Sequence, residues 1–119
     1  MPSKSPHAAL DDILTNIDRA KHLISGETLE ILSASWIKLY APARCLEIIS
    51  EASRRLSNDT KDRHPTIPWR DVADAGNVYR HEYPDVDALI LWDTVAYRLG
   101  ELRQAAAAEI GMLEGGNPS

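Results

Sequence analysis

The groups best suited to chemistry stand close together: Asn77, Arg80, His81 and Tyr83. An imidazole titrates near neutral pH and can give or take a proton. An amide four residues before it would share its face of a helix and could orient the ring by a hydrogen bond; the alternative for Asn77 is a polar side chain facing solvent. Arg80 offers a guanidinium to a phosphate, or is a plain surface cation. Tyr83 places a phenol immediately before Pro84, either reachable by another protein or packed at an interface with its hydroxyl in water. A lone histidine near a helix end is also commonly a surface residue favoured by the helix dipole, so these residues alone leave both readings open. His7 and His22 have no partner at metal-ligand spacing. Cys45, the only cysteine, can form no internal disulfide and heads no zinc motif. A buried thiol, no metal and no cofactor are therefore expected.

The remaining features bound what such a cluster could belong to. A chain of 119 residues suits one domain, with 44% hydrophobic and 26% charged residues as in ordinary globular proteins. No apolar run approaches the roughly 20 residues of a membrane span, and the start lacks the apolar core of a secretory signal, so a cytoplasmic protein is expected. The net charge of −5 repels long nucleic acid, which confines any RNA site to a local patch. Phenylalanine is absent and the few aromatics do not interleave with basic residues, against a stacking-sheet RNA binder. The glycines at 111, 115 and 116 form no phosphate-cradling loop.

Positioning falls to helices. Leu10, Ile13, Leu14, Ile17, Ala20, Leu23 and Ile24 recur at helical spacing and stop at Ser25-Gly26. A second series runs from Leu29 through Trp36 and Leu39, with a kink or short break expected at Pro42, then continues through Leu46, Ile49 and Leu56. Residues 59–68 are polar and proline-broken and read as a surface loop. Pro68 is placed to open a helix reaching Tyr83, which Pro84 should end. Asp85 or Asp87 then caps a last helix from Leu89 to about Leu113. With no strand-like alternation, the expected fold is all-α: an up-and-down antiparallel bundle of four to five helices. The domain is expected over residues 9–113, between flexible ends at 1–8 and 114–119.

Three motifs in register carry a family resemblance. Arg44-Cys45-Leu46-Glu47-Ile48-Ile49-Ser50-Glu51-Ala52 resembles the R-x-L-E-I-I-G-E-A helix of the HepT-like HEPN proteins, with Ser50 at their usual glycine. Arg63-His64-Pro65-Thr66-Ile67-Pro68-Trp69-Arg70-Asp71-Val72 is similar to their R-H-P-x-I-P-W-R-x-[IV]. His81-Glu82-Tyr83, then Val86-Asp87 and Leu91-Trp92, follow their closing signature. The likeness spans roughly residues 10 to 110.

The resemblance implies the HEPN fold and a homodimeric, metal-independent endoribonuclease toxin, restrained by a minimal nucleotidyltransferase antitoxin that transfers AMP to a tyrosine. Carried over residue by residue, His81 matches the histidine of the R-x4-H-x-Y motif and Tyr83 its AMP-accepting tyrosine. Asn77 matches the polar residue after the arginine, and Gly76 stands in the arginine's place. That departure opens an alternative, a catalytically impaired partner-binding module for a nucleotidyltransferase. Arg80, four residues on, is a candidate for relocated charge if its side chain leans back into the space left at Gly76. Two copies of His81 facing each other in a dimer could divide the acid and base roles. Arg44 and Glu47, at i, i+3, are expected as an ion pair or dimer contact; Arg63 and His64 as solvated loop or RNA contacts.

Overall fold

The structure is a computed structural model that describes residues 5–77 and 84–115. Among these residues it is all-α, a helical bundle of four long helices and three short ones. The long ones are α1 (Pro6–Ile24), α3 (Trp36–Arg54), α6 (Pro84–Tyr97) and α7 (Gly100–Gly115); the short ones are α2 (Leu29–Ala34), α4 (Asn58–Asp62) and α5 (Trp69–Asp74).

Capping chemistry explains most of the boundaries. Ser5 accepts a hydrogen bond from the Ala8 N–H and Pro6 occupies the first turn, so α1 begins ahead of the periodic apolar residues. Thr28 caps α2 through the Ile31 N–H, and Ser57 caps α4 through Thr60. The interruption expected at Pro42 lies instead at Ser35, whose hydroxyl accepts from the Lys38 N–H and restarts the chain as α3. Pro42 is buried inside that helix. A favourable cap, which supplies a missing partner, defines the break here rather than a proline that only withholds one.

Two further differences bear on the site. The helix expected to run to Tyr83 ends at Asp74, and the described part of α6 begins at Pro84, so the helix end expected at Pro84 falls on residues outside the described ones. The single last helix is divided between Tyr97 and Gly100, where glycine adds nothing to helix continuity and Leu99 turns into the core.

α1 is central, packing along α3 and against α7 and α6, while α5 rests on α3 and α2 on α6. Ile13 and Ile17 of α1, Leu46 and Ile49 of α3, and Leu91 and Val95 of α6 lose all solvent contact and form the centre of the core. Cys45 is buried, and desolvation pushes its thiol above the ordinary range, as expected of an inert core cysteine. No helix among the described residues is long and apolar enough to cross a membrane.

Candidate active site

α5 has only six residues, and its end is built by α3. Continued helix would bond the Gly76 N–H to the Val72 carbonyl. The Ser50 hydroxyl stands between them instead, accepting from the Gly76 N–H at 2.7 Å and donating to the Val72 oxygen at 2.8 Å. The Arg54 guanidinium donates to the Ala73 carbonyl, and the Asn77 N–H closes on the Asp74 oxygen at 3.0 Å. Each of the last three carbonyls of α5 thus has a donor, two of them supplied by α3, and the chain leaves helical geometry before Asn77.

Gly76 is required at this joint by proximity rather than by backbone angle. A Cβ there would lie 2.9 Å from the Glu47 Cα, closer than packed atoms approach, and a tight 3.1 Å from the Ser50 Oγ. The position matching the family's arginine directs its Cβ toward the backbone of α3, although Gly76 also borders a polar cleft.

Asn77 is exposed on a polar cleft of about 270 Å³ lined also by Arg44, Glu47, Ser50, Glu51, Arg54 and Gly76. Arg44 and Glu47 approach only to 3.8 Å with both side chains well exposed, a loose i, i+3 pair worth about 0.2–0.5 kcal/mol. Their ion pair contributes little to the fold, and the Arg44 guanidinium is left facing the cleft. Arg44 also borders an apolar groove between α1 and α3 lined by Leu23, Ala41, Cys45 and Ile48, so groove and cleft adjoin at this residue. Nearby on α3, Trp36 and Ile37 are each 66% exposed, and Trp36 meets Tyr40 edge-on at 5.2 Å.

Arg80, His81 and Tyr83 lie outside the described residues. What the structure supplies is their frame: Asn77 before them and α6 after them. The face-sharing expected of Asn77 and His81 requires a helix through both, and α5 stops short of Asn77.

Arg63 and His64 belong to a different construction. Glu109 of α7 is buried and takes Arg63 Nε at 3.1 Å and Nη2 at 2.7 Å, while His64 Nε2 lies 2.8 Å from the same carboxylate. Arg63 hydrogen bonding, outweighing desolvation and joined by His64, holds the Glu109 carboxyl below its ordinary range. The Trp69 indole N–H reaches the carbonyls of Lys61 and His64, and Ile67 enters the core. The segment expected as solvated loop is clamped to α7 by its own motif residues.

Sequence reasoning missed Ser50, Arg54 and Glu109 as working residues. Paired departures were available for the first, since Ser50 replaces one motif glycine while Gly76 is a glycine gained. Arg54 follows Arg44 and Glu51 along one stripe of α3, and Glu109 follows Leu102 and Ala106 on the buried face of α7.

Among the described residues no cluster of three or more His, Cys, Asp or Glu could hold a metal. Comparison with known proteins points the same way as the motifs. The profile of the family described as ribonuclease HepT-like matches residues 13–109. A Methanocaldococcus jannaschii protein named, provisionally, RNase MJ1216 is 33% identical over 97% of this chain and 95% of its own length. Another from that organism, provisionally RNase MJ0125, is 31% identical over 87% of this chain and 90% of its own. A Thermococcus cleftensis protein named "Probable ribonuclease HepT" is 38% identical over 77% and 87% respectively. No solved structure matches. With a family profile over most of its length and relatives aligned nearly end to end, the chain belongs to the HepT-like ribonuclease family.

Proposed function

We propose that this protein is a metal-independent endoribonuclease of the toxin type, acting in the cytoplasm as a homodimer. The observation that carries this reading is the family match over residues 13–109, a range that includes Asn77, Arg80, His81 and Tyr83. An RNA 2′-hydroxyl loses its proton to a base and attacks the adjacent phosphorus; the 5′-oxygen leaves with a proton from an acid, and a cyclic phosphate remains. His81 serves as acid or base, its counterpart in a second subunit taking the complementary role. Asn77 orients, and Arg80 offers positive charge to the phosphate. Arg44 and Arg54 line the cleft that Asn77 shares and offer guanidiniums to a phosphate there, beside Glu47 and Glu51, so the cleft itself carries no net positive charge. The apolar groove adjoining that cleft at Arg44, together with Trp36 and Ile37, supplies the surface for the second copy. Tyr83 is the acceptor through which a nucleotidyltransferase antitoxin silences the enzyme, its phenol oxygen taking AMP from ATP as pyrophosphate leaves.

A specific observation favours a second reading. Gly76 stands where the motif has arginine and admits no side chain, as expected of a dimer that docks a nucleotidyltransferase while cutting RNA poorly. Cleavage of labelled RNA at low salt, in buffer with chelator, decides between them. On the first reading wild type cuts and His81→Ala loses about 10²–10⁴ in rate. A wild type as silent as His81→Ala sinks the ribonuclease and leaves the docking module.

A further inference from the structure

The Ser50 hydroxyl is buried at a place where a helix would need nothing from outside. Its residue is 1% exposed, yet its oxygen occupies the interior of another element's hydrogen-bond ladder, between the Gly76 N–H and the Val72 carbonyl. Insertion of a hydroxyl into an i→i−4 ladder ends or bends a helix at that point. Without it, the Gly76 N–H loses its acceptor and the Val72 carbonyl one of its donors, so the end of α5 and the direction of the next residue are no longer fixed. The close approach of Gly76 to the Glu47 Cα holds the same turn against α3 from the backbone side. Arg54, by its bond to Ala73, ties the chain three residues before Gly76. Asn77 therefore leaves a joint held at Val72, Ala73 and Gly76 by one face of α3.

We infer that Ser50 is a positioning residue: its hydroxyl terminates α5 at Gly76 and thereby sets the direction in which Asn77 faces the cleft and the chain departs. The inference rests on the ribonuclease reading for its effect on turnover, but the joint itself is independent of that reading. Ser50 touches no substrate; it acts through the Gly76–Asn77 backbone. Removing the hydroxyl misdirects Asn77 without removing any of the cleft's charged side chains, so turnover suffers more than substrate binding. A misplacement of about 1 Å at reacting groups can cost as much as 10²-fold.

The test compares wild type, Ser50→Ala, Gly76→Ala, the double variant and Ser53→Ala by RNA cleavage kinetics and amide hydrogen exchange. Ser53 is an equally buried hydroxyl on α3 that bonds only the Ser50 carbonyl within its own helix, and so controls for loss of a buried serine. In Ser50→Ala we expect kcat to fall about tenfold or more with KM within about threefold, and the Gly76 amide to exchange faster. Ser53→Ala should retain kcat. The double variant should lose little more than the worse single one, since both changes break one joint. An unchanged kcat in Ser50→Ala, an equal loss in Ser53→Ala, or additive losses in the double variant overturns the inference. If wild type cuts no RNA, the ribonuclease reading fails by itself and exchange judges the joint: acceleration beginning at Gly76 in Ser50→Ala supports it, and an unaltered Gly76 amide overturns it.

Discussion

The segment beginning at Arg63 and the joint ending at Asn77 both come from motifs of one family signature, and the fold treats them in opposite ways. Around Arg63 the polar groups are spent inward: the guanidinium and the His64 ring converge on a buried carboxylate, and the Trp69 indole satisfies two carbonyls. At the joint only the backbone is spent inward. Ser50 and Arg54 satisfy the end of α5, while Asn77 and Arg44 remain open to the cleft. A motif residue saturated by the fold is explained by stability. One left unsaturated beside a cleft is a candidate for substrate.

The sharpest way to break this contrast is at Gly76. Gly76→Arg, which on sequence grounds would complete the motif, forces its Cβ against the α3 backbone and should cost about 3 kcal/mol without raising activity. A variant that melts like wild type and cuts RNA faster would show that the joint has room. Next is Glu109→Ala, which strands Arg63 and His64 at one end of α7 and should cost about 2 kcal/mol, read from the urea midpoint, with cleavage at saturating RNA unchanged. A large kcat loss there would move the Arg63 clamp to the functional side of the comparison.

The two regions also differ toward acid. Because Glu109 titrates lower in the folded chain than in the unfolded one, its contribution is complete above its ordinary value of 4.5 and is lost as pH falls through the lowered folded value. The acid side of a stability–pH curve should therefore flatten in Glu109→Gln, and an unaltered slope would remove the clamp from the account. Arg44→Ala should lower kcat/KM about tenfold while leaving the melting temperature within about a degree, because its ion pair is loose. The smallest effect is expected of Trp69→Phe, which keeps an aromatic ring but loses the indole N–H and its hydrogen bonds for about 1 kcal/mol; equality with wild type by urea titration would contradict it.

The core was legible where periodicity reports burial. Ile13, Ile17, Leu46, Ile49 and Val95 read as apolar faces and lose all solvent contact, whereas in α6 Leu89 and Ile90, read into the same face, are exposed and Leu91 is the residue buried. Helix ends were less legible, since they depend on hydrogen bonds that cross between elements. Ser35 outcompetes Pro42 as a breakpoint because its hydroxyl provides a cap, a local fact that composition alone does not rank. The end of α5 is only partly local: Gly76-Asn77 is ordinary helix-stop chemistry, but the terminating hydroxyl comes from Ser50, across the packing against α3. The same limit applies to the candidate site. Asn77 and Gly76 could be picked out by pattern, but that the Gly76 position faces backbone, and that Arg44 borders both cleft and groove, follows from how α5 lies on α3.

His7 at the start of α1 and Glu114 near the end of α7 meet at 3.0 Å. The domain is thus entered and left at one corner, far along the sequence but adjacent in space. Such an arrangement suits circular permutation, in which a short linker joins the two ends and new termini are opened elsewhere. It also lets the domain be carried as an insert within another protein with little stretching of the host chain.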